Sequence, residues 1–111
     1  MGSSGSSGKA NVENYINTNP VMVFSKTYCP FCTRTKELLK RGGVPFMVVE
    51  MDKMRGGSAL HSALKKFSGQ SSVPNIYIGG KHIGGNDNLQ ELARSGNLKR
   101  QLDELKIQNT F

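Results

Sequence analysis

Cys29 and Cys32 are the only two cysteines in 111 residues, and they stand together in Lys26-Thr-Tyr-Cys-Pro-Phe-Cys32. A short secreted chain stapled by disulfides would carry four or more cysteines. A self-contained zinc site usually takes four ligands. The C-x-x-C spacing in an otherwise Cys-free chain points instead to thiol–disulfide exchange, with a buried apolar pair or half a metal site as the bland alternatives. Such chemistry needs a thiolate at neutral pH, whereas a free thiol of pKa ~8.5 is only ~3% ionised at pH 7. Unpaired N–H groups at a helix N-terminus favour the anion, and Lys26, three residues ahead of Cys29, adds positive charge. Cys29 falls at or just before a predicted helix start, so it is the expected nucleophile. Cys32 falls one turn in and more buried, so it is expected to resolve the mixed disulfide by attacking Cys29. Pro30 fixes the backbone between them and removes one donor.

The flanking pattern supplies that context. Val21-Met22-Val23-Phe24 is apolar at every position, as in a strand covered on both faces. Pro30 suits the first position of a helix, with Phe31, Thr35, Leu38 and Leu39 on one face and Gly42-Gly43 as its stop. Ahead of the strand, Val12, Tyr15 and Ile16 mark a short amphipathic helix that ends near Asn19-Pro20. Beyond the motif, Phe46–Glu50 reads as a second strand, with Asp52 in the loop that follows. Leu60, Ala63, Leu64 and Phe67 mark a third helix, capped by Ser58 and stopped near Gly69. Asn75–Ile78 and Lys81–Ile83 form a hairpin about Gly79-Gly80. Gly84-Gly85-Asn86-Asp87 opens a helix with Leu89, Leu92 and Ala93. Gly96 breaks it, and Leu98, Leu102 and Leu105 mark a last helix before a tail, Gln108–Phe111. The first two strands are expected to pair in parallel through a right-handed crossover.

Met1–Gly8 reads as an expression-tag scar, disordered and outside the fold, leaving 9–111 as one domain. About 100 residues suffice for one small core. No apolar run approaches the length of a membrane span. The net charge is +7, from fifteen basic and eight acidic residues. The basic residues are spread along helices without an aromatic-basic interleave, so they read as solvated faces rather than a nucleic-acid footprint. They still favour anionic partners.

Two further stretches carry chemistry. The Val73-Pro74 bond stands ahead of a buried strand and is either trans, the commoner state, or cis, which would aim backbone groups at a neighbouring site. In Gly84–Asp87 the glycines permit close backbone approach, and Asn86 and Asp87 can cap the helix. Exposed N–H groups there would bind a carboxylate, and Asp87 an ammonium.

Taken together, Lys26–Cys32, Ser72-Val73-Pro74 and Lys81-His-Ile-Gly-Gly-Asn-Asp87 resemble the glutaredoxins, over nearly the whole stretch from Val12 to Leu105. Cys29-Pro-Phe-Cys32 resembles the motif of the dithiol class. The resemblance implies an α/β, thioredoxin-like fold, with a central mixed four-stranded sheet flanked by about five helices. It implies a cis Pro74. It also implies a glutathione-dependent oxidoreductase that reduces protein disulfides and glutathione mixed disulfides in cell redox homeostasis, with Cys29 and Cys32 as the redox-active disulfide. Glutathione would be the reductant and co-substrate, contacted by Lys26, Tyr28, His61, Ser72, Val73, Pro74, Gly85, Asn86 and Asp87. Val73 would offer backbone hydrogen bonds. Lys26 would meet a carboxylate and Asp87 the ammonium.

The sequence departs from the family pattern in places. His61, eleven residues before Ser72, stands where Gln or Arg is frequent, and its imidazole can still donate to the glycyl carboxylate. Ser72 replaces Thr, and Ser71 stands at a position often basic. Asn86 stands where many relatives carry Cys or Ser, so no third thiol enters the chemistry. His82 is assigned no role. The expected partners are glutathionylated or disulfide-bonded proteins and, indirectly, glutathione reductase. No nucleic acid, membrane or metal is expected, the chain is expected to be a monomer, and the compartment is expected to be the cytoplasm. A thioredoxin-type reading fits less well, since that class usually carries Trp-Cys-Gly-Pro-Cys and this chain has no Trp. A binding-module reading, with a 2Fe-2S cluster held between two subunits, is disfavoured by Pro30.

Overall fold

The computed structural model describes residues 7–111. The chain runs α1 (Ser7–Thr18), β1 (Val21–Ser25), α2 (Pro30–Arg41), β2 (Met47–Glu50), α3 (Gly57–Ser68), β3 (Asn75–Ile78), β4 (Lys81–Gly84), α4 (Asn86–Ser95) and α5 (Asn97–Glu104). This is a thioredoxin-like α/β fold. The strands form one four-stranded sheet in the order β2-β1-β3-β4. β1 pairs with β2 in parallel, from Met22 opposite Met47 to Ser25 opposite Glu50, and β3 is antiparallel to both β1 and β4.

The all-apolar run of β1 is explained by what covers it. Alternate residues of a strand point to opposite faces. Val21 and Val23 join Ile76, Ile78, Leu38, Leu39, Leu89, Leu98 and Leu102 beneath α2, α4 and α5. Met22 and Phe24 join Tyr77, Val12, Ile16, Leu60 and Leu64 beneath α1 and α3. Both faces of the central strand are therefore dry, and a polar residue anywhere in Val21–Phe24 would be buried without a partner. No helix among the described residues is long and apolar enough to cross a membrane.

Several local expectations are corrected. Helix α1 begins at Ser7, so Ser7 and Gly8 lie inside it, while residues 1–6 of the expected scar lie outside the described residues. Ser58 does not cap α3. Gly56 takes that position with φ +76°, and Gly57 opens the helix against the Met51 carbonyl, where a Cβ would come within 1.7 Å of the oxygen. The close contact admits only glycine at 57. Phe31 and Phe67, assigned to buried helix faces by their spacing, are exposed, Phe31 in the first turn of α2 and Phe67 in the last turn of α3. Leu105 follows the end of α5 and lies over Gly79, also largely exposed. The last four residues are no loose tail. The Thr110 amide donates to the Gly42 carbonyl at 2.7 Å, and the Phe111 ring occupies the space a side chain at Gly42 would need.

Lys36 of α2 and Glu50 of β2 pair at 2.6 Å, both mostly buried. Glu50 Oε1 is the only buried side-chain nitrogen or oxygen among the described residues without a hydrogen-bond partner. The carboxylate thus depends on Lys36. Removing one partner of a buried pair costs more than the pair contributes. Lys36→Met is expected to destabilise the fold by about 1–2 kcal/mol, discounted for partial solvent access. The double variant Lys36→Met/Glu50→Gln is expected to recover most of that. Urea denaturation of the three proteins reads it out, and a single variant as stable as the parent would remove the pair from the account.

Candidate active site

The site begins where β1 hands over to α2. The strand ends at Ser25, and a turn closes with the Cys29 amide donating to the Lys26 carbonyl at 3.2 Å. Asp52 clamps that turn from the end of β2. Its carboxylate accepts the Thr27 amide at 2.9 Å and the Thr27 hydroxyl through its other oxygen. These hydrogen bonds hold the Asp52 carboxyl below its ordinary range, with the Thr27 hydroxyl the largest cause. Because β2 runs parallel to β1, both strands end at the same edge of the sheet, which brings Asp52 beside the motif.

Cys29 is the N-cap of α2 in extended geometry, and Pro30 holds the first helical position. The Cys32 amide donates to Cys29 Sγ at 3.2 Å. One of the orphan amides of the helix start is therefore aimed at the sulfur, an arrangement that stabilises negative charge there. Cys29 is half-buried and its Sγ lies 3.7 Å from the Val73 carbonyl oxygen. Cys32 is wholly buried at 0% exposure, and both are free thiols. Burial is the main cause that pushes the Cys32 thiol up to about 11, and hydrogen bonding with the Cys29 sulfur adds to it, while the Ser25 hydroxyl opposes. The two thiols are thus unequal in access, and burial keeps Cys32 protonated at neutral pH.

The Val73–Pro74 peptide is cis, and it lies alongside the cysteines. A groove of about 410 Å³ opens there. Ser72, Val73 and Pro74 form one wall, and Gly85, Asn86 and Asp87 form the other. Phe31, Gln70 and Asn88 complete it. Six of the residues singled out from the sequence for binding are brought together here. Lys26, Tyr28 and His61 are not among the lining residues. Tyr28 stands 71% exposed on the rim beside Cys29. His61 sits on α3, and its Nε2 donates to the Ser71 carbonyl at 3.0 Å, tying α3 to the Ser72–Pro74 loop. A larger hollow, about 990 Å³, lies between α1 and α3; neither cysteine lines it or the groove, but the groove's Val73 carbonyl oxygen lies 3.7 Å from Cys29 Sγ. Among the described residues no three His, Cys, Asp or Glu side chains group as a metal site requires.

Asn86 and Asp87 do not cap α4. Gly85 is the N-cap, with no side-chain hydrogen bond, and Asn86 is the first helical residue. The Asn86 side chain is turned inward and its Oδ1 accepts from Thr35 Oγ1 at 3.0 Å and Gln90 Nε2 at 3.1 Å. This buried contact fixes the glycine-rich wall of the groove to the helix that carries Cys32. Gly84 takes φ +113°, and a Cβ there would come within 2.1 Å of Asn88 Nδ2, so the turn into α4 requires glycine.

Gln70 is not singled out by the sequence, and Asp52 is placed there only in the loop after the second strand, without a role. Gln70 Nε2 donates to the carbonyls of Ser72 and Pro74, both at 3.0 Å, and so braces the loop that forms one wall. Nothing in its local sequence marks this. For Asp52 a signal existed: an acidic residue just past a strand parallel to β1 must emerge at the edge where the cysteines lie.

The chain matches the model of the glutaredoxin family over residues 21–83. It is 47% identical over 95 residues to a glutaredoxin of Solanum lycopersicum, covering 86% of this chain and 88% of that one. It is 48% identical over 89 residues to glutaredoxin-C2 of Arabidopsis thaliana, covering 80% of each. Among solved structures it superposes on a buckwheat glutaredoxin–glutathione complex with TM-score 0.86 and 41% identity, covering 89% of this chain and 90% of that one. On the solution structure of reduced glutaredoxin C1 from Populus tremula x tremuloides the TM-score is 0.89 at 39% identity, covering 93% and 88%.

Two outcomes follow from this geometry. At pH 7 a limiting amount of iodoacetamide is expected to alkylate Cys29 and spare Cys32, with Cys32 labelling rising only as pH approaches about 11. Peptide mapping by mass spectrometry reads the order, and equal labelling at pH 7 would contradict it. The Asp52 clamp, present while the carboxylate is charged, is expected to be lost only as pH falls below the ordinary carboxylate pKa of ~3.9. The Thr27 amide chemical shift should therefore titrate with a midpoint under that value, and it should not titrate in Asp52→Asn.

Proposed function

The chain belongs to the glutaredoxin family, and on that premise we propose how its residues divide the family's work. The protein is a glutathione-dependent thiol–disulfide oxidoreductase, binding glutathione and acting on glutathionylated and disulfide-bonded substrates. Our reading assigns it to the dithiol class, through Cys29-Pro30-Phe31-Cys32. The observation that carries this reading is the inequality of the two thiols: one next to the groove's Val73 with a helix amide on its sulfur, the other fully buried and protonated.

In the monothiol route the Cys29 thiolate attacks the glutathione sulfur of a mixed disulfide. The S–S bond between glutathione and the substrate protein breaks, and the protein thiolate leaves and takes a proton from water. Cys29 is left joined to glutathione by a new S–S bond. A second glutathione thiolate attacks the bound glutathione sulfur, releasing glutathione disulfide and the Cys29 thiolate. In the dithiol route Cys29 attacks a protein disulfide. Cys32 then gives up its proton and attacks Cys29 Sγ, expelling the second protein thiolate, and two glutathiones reopen the Cys29–Cys32 bond. A thiol held near 11 does not compete as a nucleophile at neutral pH, so Cys32 acts only when a mixed disulfide stands on the sulfur beside it.

Glutathione carries two carboxylates and one ammonium. In this reading the cysteinyl part pairs with the Val73 backbone, Asp87 at the first turn of α4 takes the ammonium, and the Gly85 region takes a carboxylate. Ser72, Pro74 and Asn86 shape the groove. Lys26, Tyr28 and His61 act from its rim, for which the exposed ring of Tyr28 beside Cys29 gives support. We assign the protein to the cytoplasm, whose glutathione pool supplies the electrons, acting as a monomer.

Cys29→Ser is expected to abolish turnover, by more than 10³-fold, in an assay coupling glutathione, glutathione reductase and NADPH to a small mixed disulfide. Cys32→Ser is expected to keep that activity while losing most reduction of protein disulfides. Full activity in Cys29→Ser would reject the assignment.

A further inference from the structure

A second cleft adjoins the groove. It lies between α2 and α4 and encloses about 430 Å³. Arg34, Glu37 and Arg41 line it from α2, spaced three and four residues apart, so they share one face of the helix. Asp87, Gln90 and Arg94 line it from α4 with the same spacing. Asn86 and Asp87 belong to both the cleft and the groove beside Cys29, so the two hollows are continuous. The Arg34 guanidinium lies over the Phe31 ring, 5.4 Å from its centroid, and Phe31 in turn lines the groove.

The three guanidiniums are not used up inside the fold. Arg94 meets only Glu91, at 2.8 Å, in a pair exposed on both sides. Among the described residues Arg34 and Arg41 have no carboxylate within ion-pair distance. Guanidinium presents a rigid fork of donors suited to a carboxylate, and two or three around one cleft hold an anion better than any one alone. Glu37 and Asp87 interrupt the positive charge. That spacing suits a single carboxylate and disfavours a polyanion, whose neighbouring charges would meet the two acidic side chains.

The position of the cleft decides what brings the carboxylate. A substrate joined to Cys29 through sulfur must leave the groove across its rim, and Phe31 and Arg34 form that rim on the α2 side. An extended chain advances ~3.3 Å per residue, so a side chain a few positions from the reacting cysteine reaches the cleft. We infer that the α2–α4 cleft is a specificity subsite that takes an Asp or Glu side chain of the protein substrate, placed a few residues from the cysteine under exchange. This rests on the reading that the protein acts on glutathionylated proteins. Rim charges of this kind set partner choice and encounter rate, and salt screens them.

The test uses the whole protein and a set of glutathionylated peptides, identical except for Glu, Gln or Lys at two to four residues from the cysteine. The Glu peptides are expected to show kcat/KM about threefold to tenfold above the Gln peptides, with Lys lower still, and 0.5 M NaCl is expected to erase the difference. In Arg34→Gln/Arg41→Gln/Arg94→Gln the preference is expected to vanish, while turnover of the small mixed disulfide of glutathione and hydroxyethanethiol stays at the parent level. Arg41→Gln alone, far from the cysteines, should lower the preference in part and covers the case of a triple variant that folds poorly. Equal rates for Glu and Gln peptides would overturn the subsite, as would a preference that survives the triple substitution. A triple variant that folds but loses turnover of the small disulfide would overturn it too, by making the cleft part of the glutathione site. Failure of the parent protein on the small disulfide is a separate result and would instead reject the functional reading.

Discussion

The Cys32 amide reaches the Cys29 sulfur because the chain turns from a buried strand into a helix at that residue. The contact needs three conditions at once. β1 must be held on both faces so that its end is fixed in space, Pro30 must open the helix without a donor of its own, and the turn before Cys29 must not drift. The apolar run Val21–Phe24 meets the first condition through two separate cores. Asp52 meets the last, from the neighbouring parallel strand. An amide aimed at a sulfur in this way is thus less a property of the cysteines than of the sheet edge on which they are mounted.

The groove is assembled from parts that are distant in sequence, and polar side chains bind those parts together. Thr35 and Asn86 join the cysteine helix to α4, Gln70 braces the Ser72–Pro74 loop, and His61 ties that loop to α3. Each bond is worth about 1 kcal/mol in net terms, and only at the buried Thr35–Asn86 contact does leaving a partner unpaired cost more. The network therefore contributes more to shape than to stability. It fixes where the two walls stand relative to Cys29, which is what an exchange reaction within van der Waals reach of a sulfur requires.

The same reasoning separates the two polar residues at the start of α4. Asn86 is buried and spends its oxygen on Thr35 and Gln90, so it shapes the site. Asp87 is exposed at the first turn, where a negative side chain is favoured by the helix dipole and remains free to meet a cation. Neighbours in sequence, they differ because a helix sends successive side chains about 100° apart.

The greater burial of Cys32 than of Cys29, the two-sided burial of Val21–Phe24, the helix start at Pro30 and the breaks at Gly69 and Gly96 were legible in the residues alone. These follow from local causes: spacing, ring closure in proline, and the freedom of glycine to take positive φ. The resemblance in three short stretches added the fold and pointed to the groove between Ser72–Pro74 and Gly85–Asp87. The tertiary structure alone placed Asp52 as the clamp on the turn before Cys29, Gln70 as the brace of the loop and the Asn86 side chain facing inward. It alone decided that Phe31 stands in solvent and that Phe111 docks on Gly42. In each of these cases the partner lies on another element, and no period or cap in the local sequence records where the sheet will bring it. The helix at Cys29 was legible because strand, turn and helix are consecutive there; the walls around it were not, because four separate segments meet to build them.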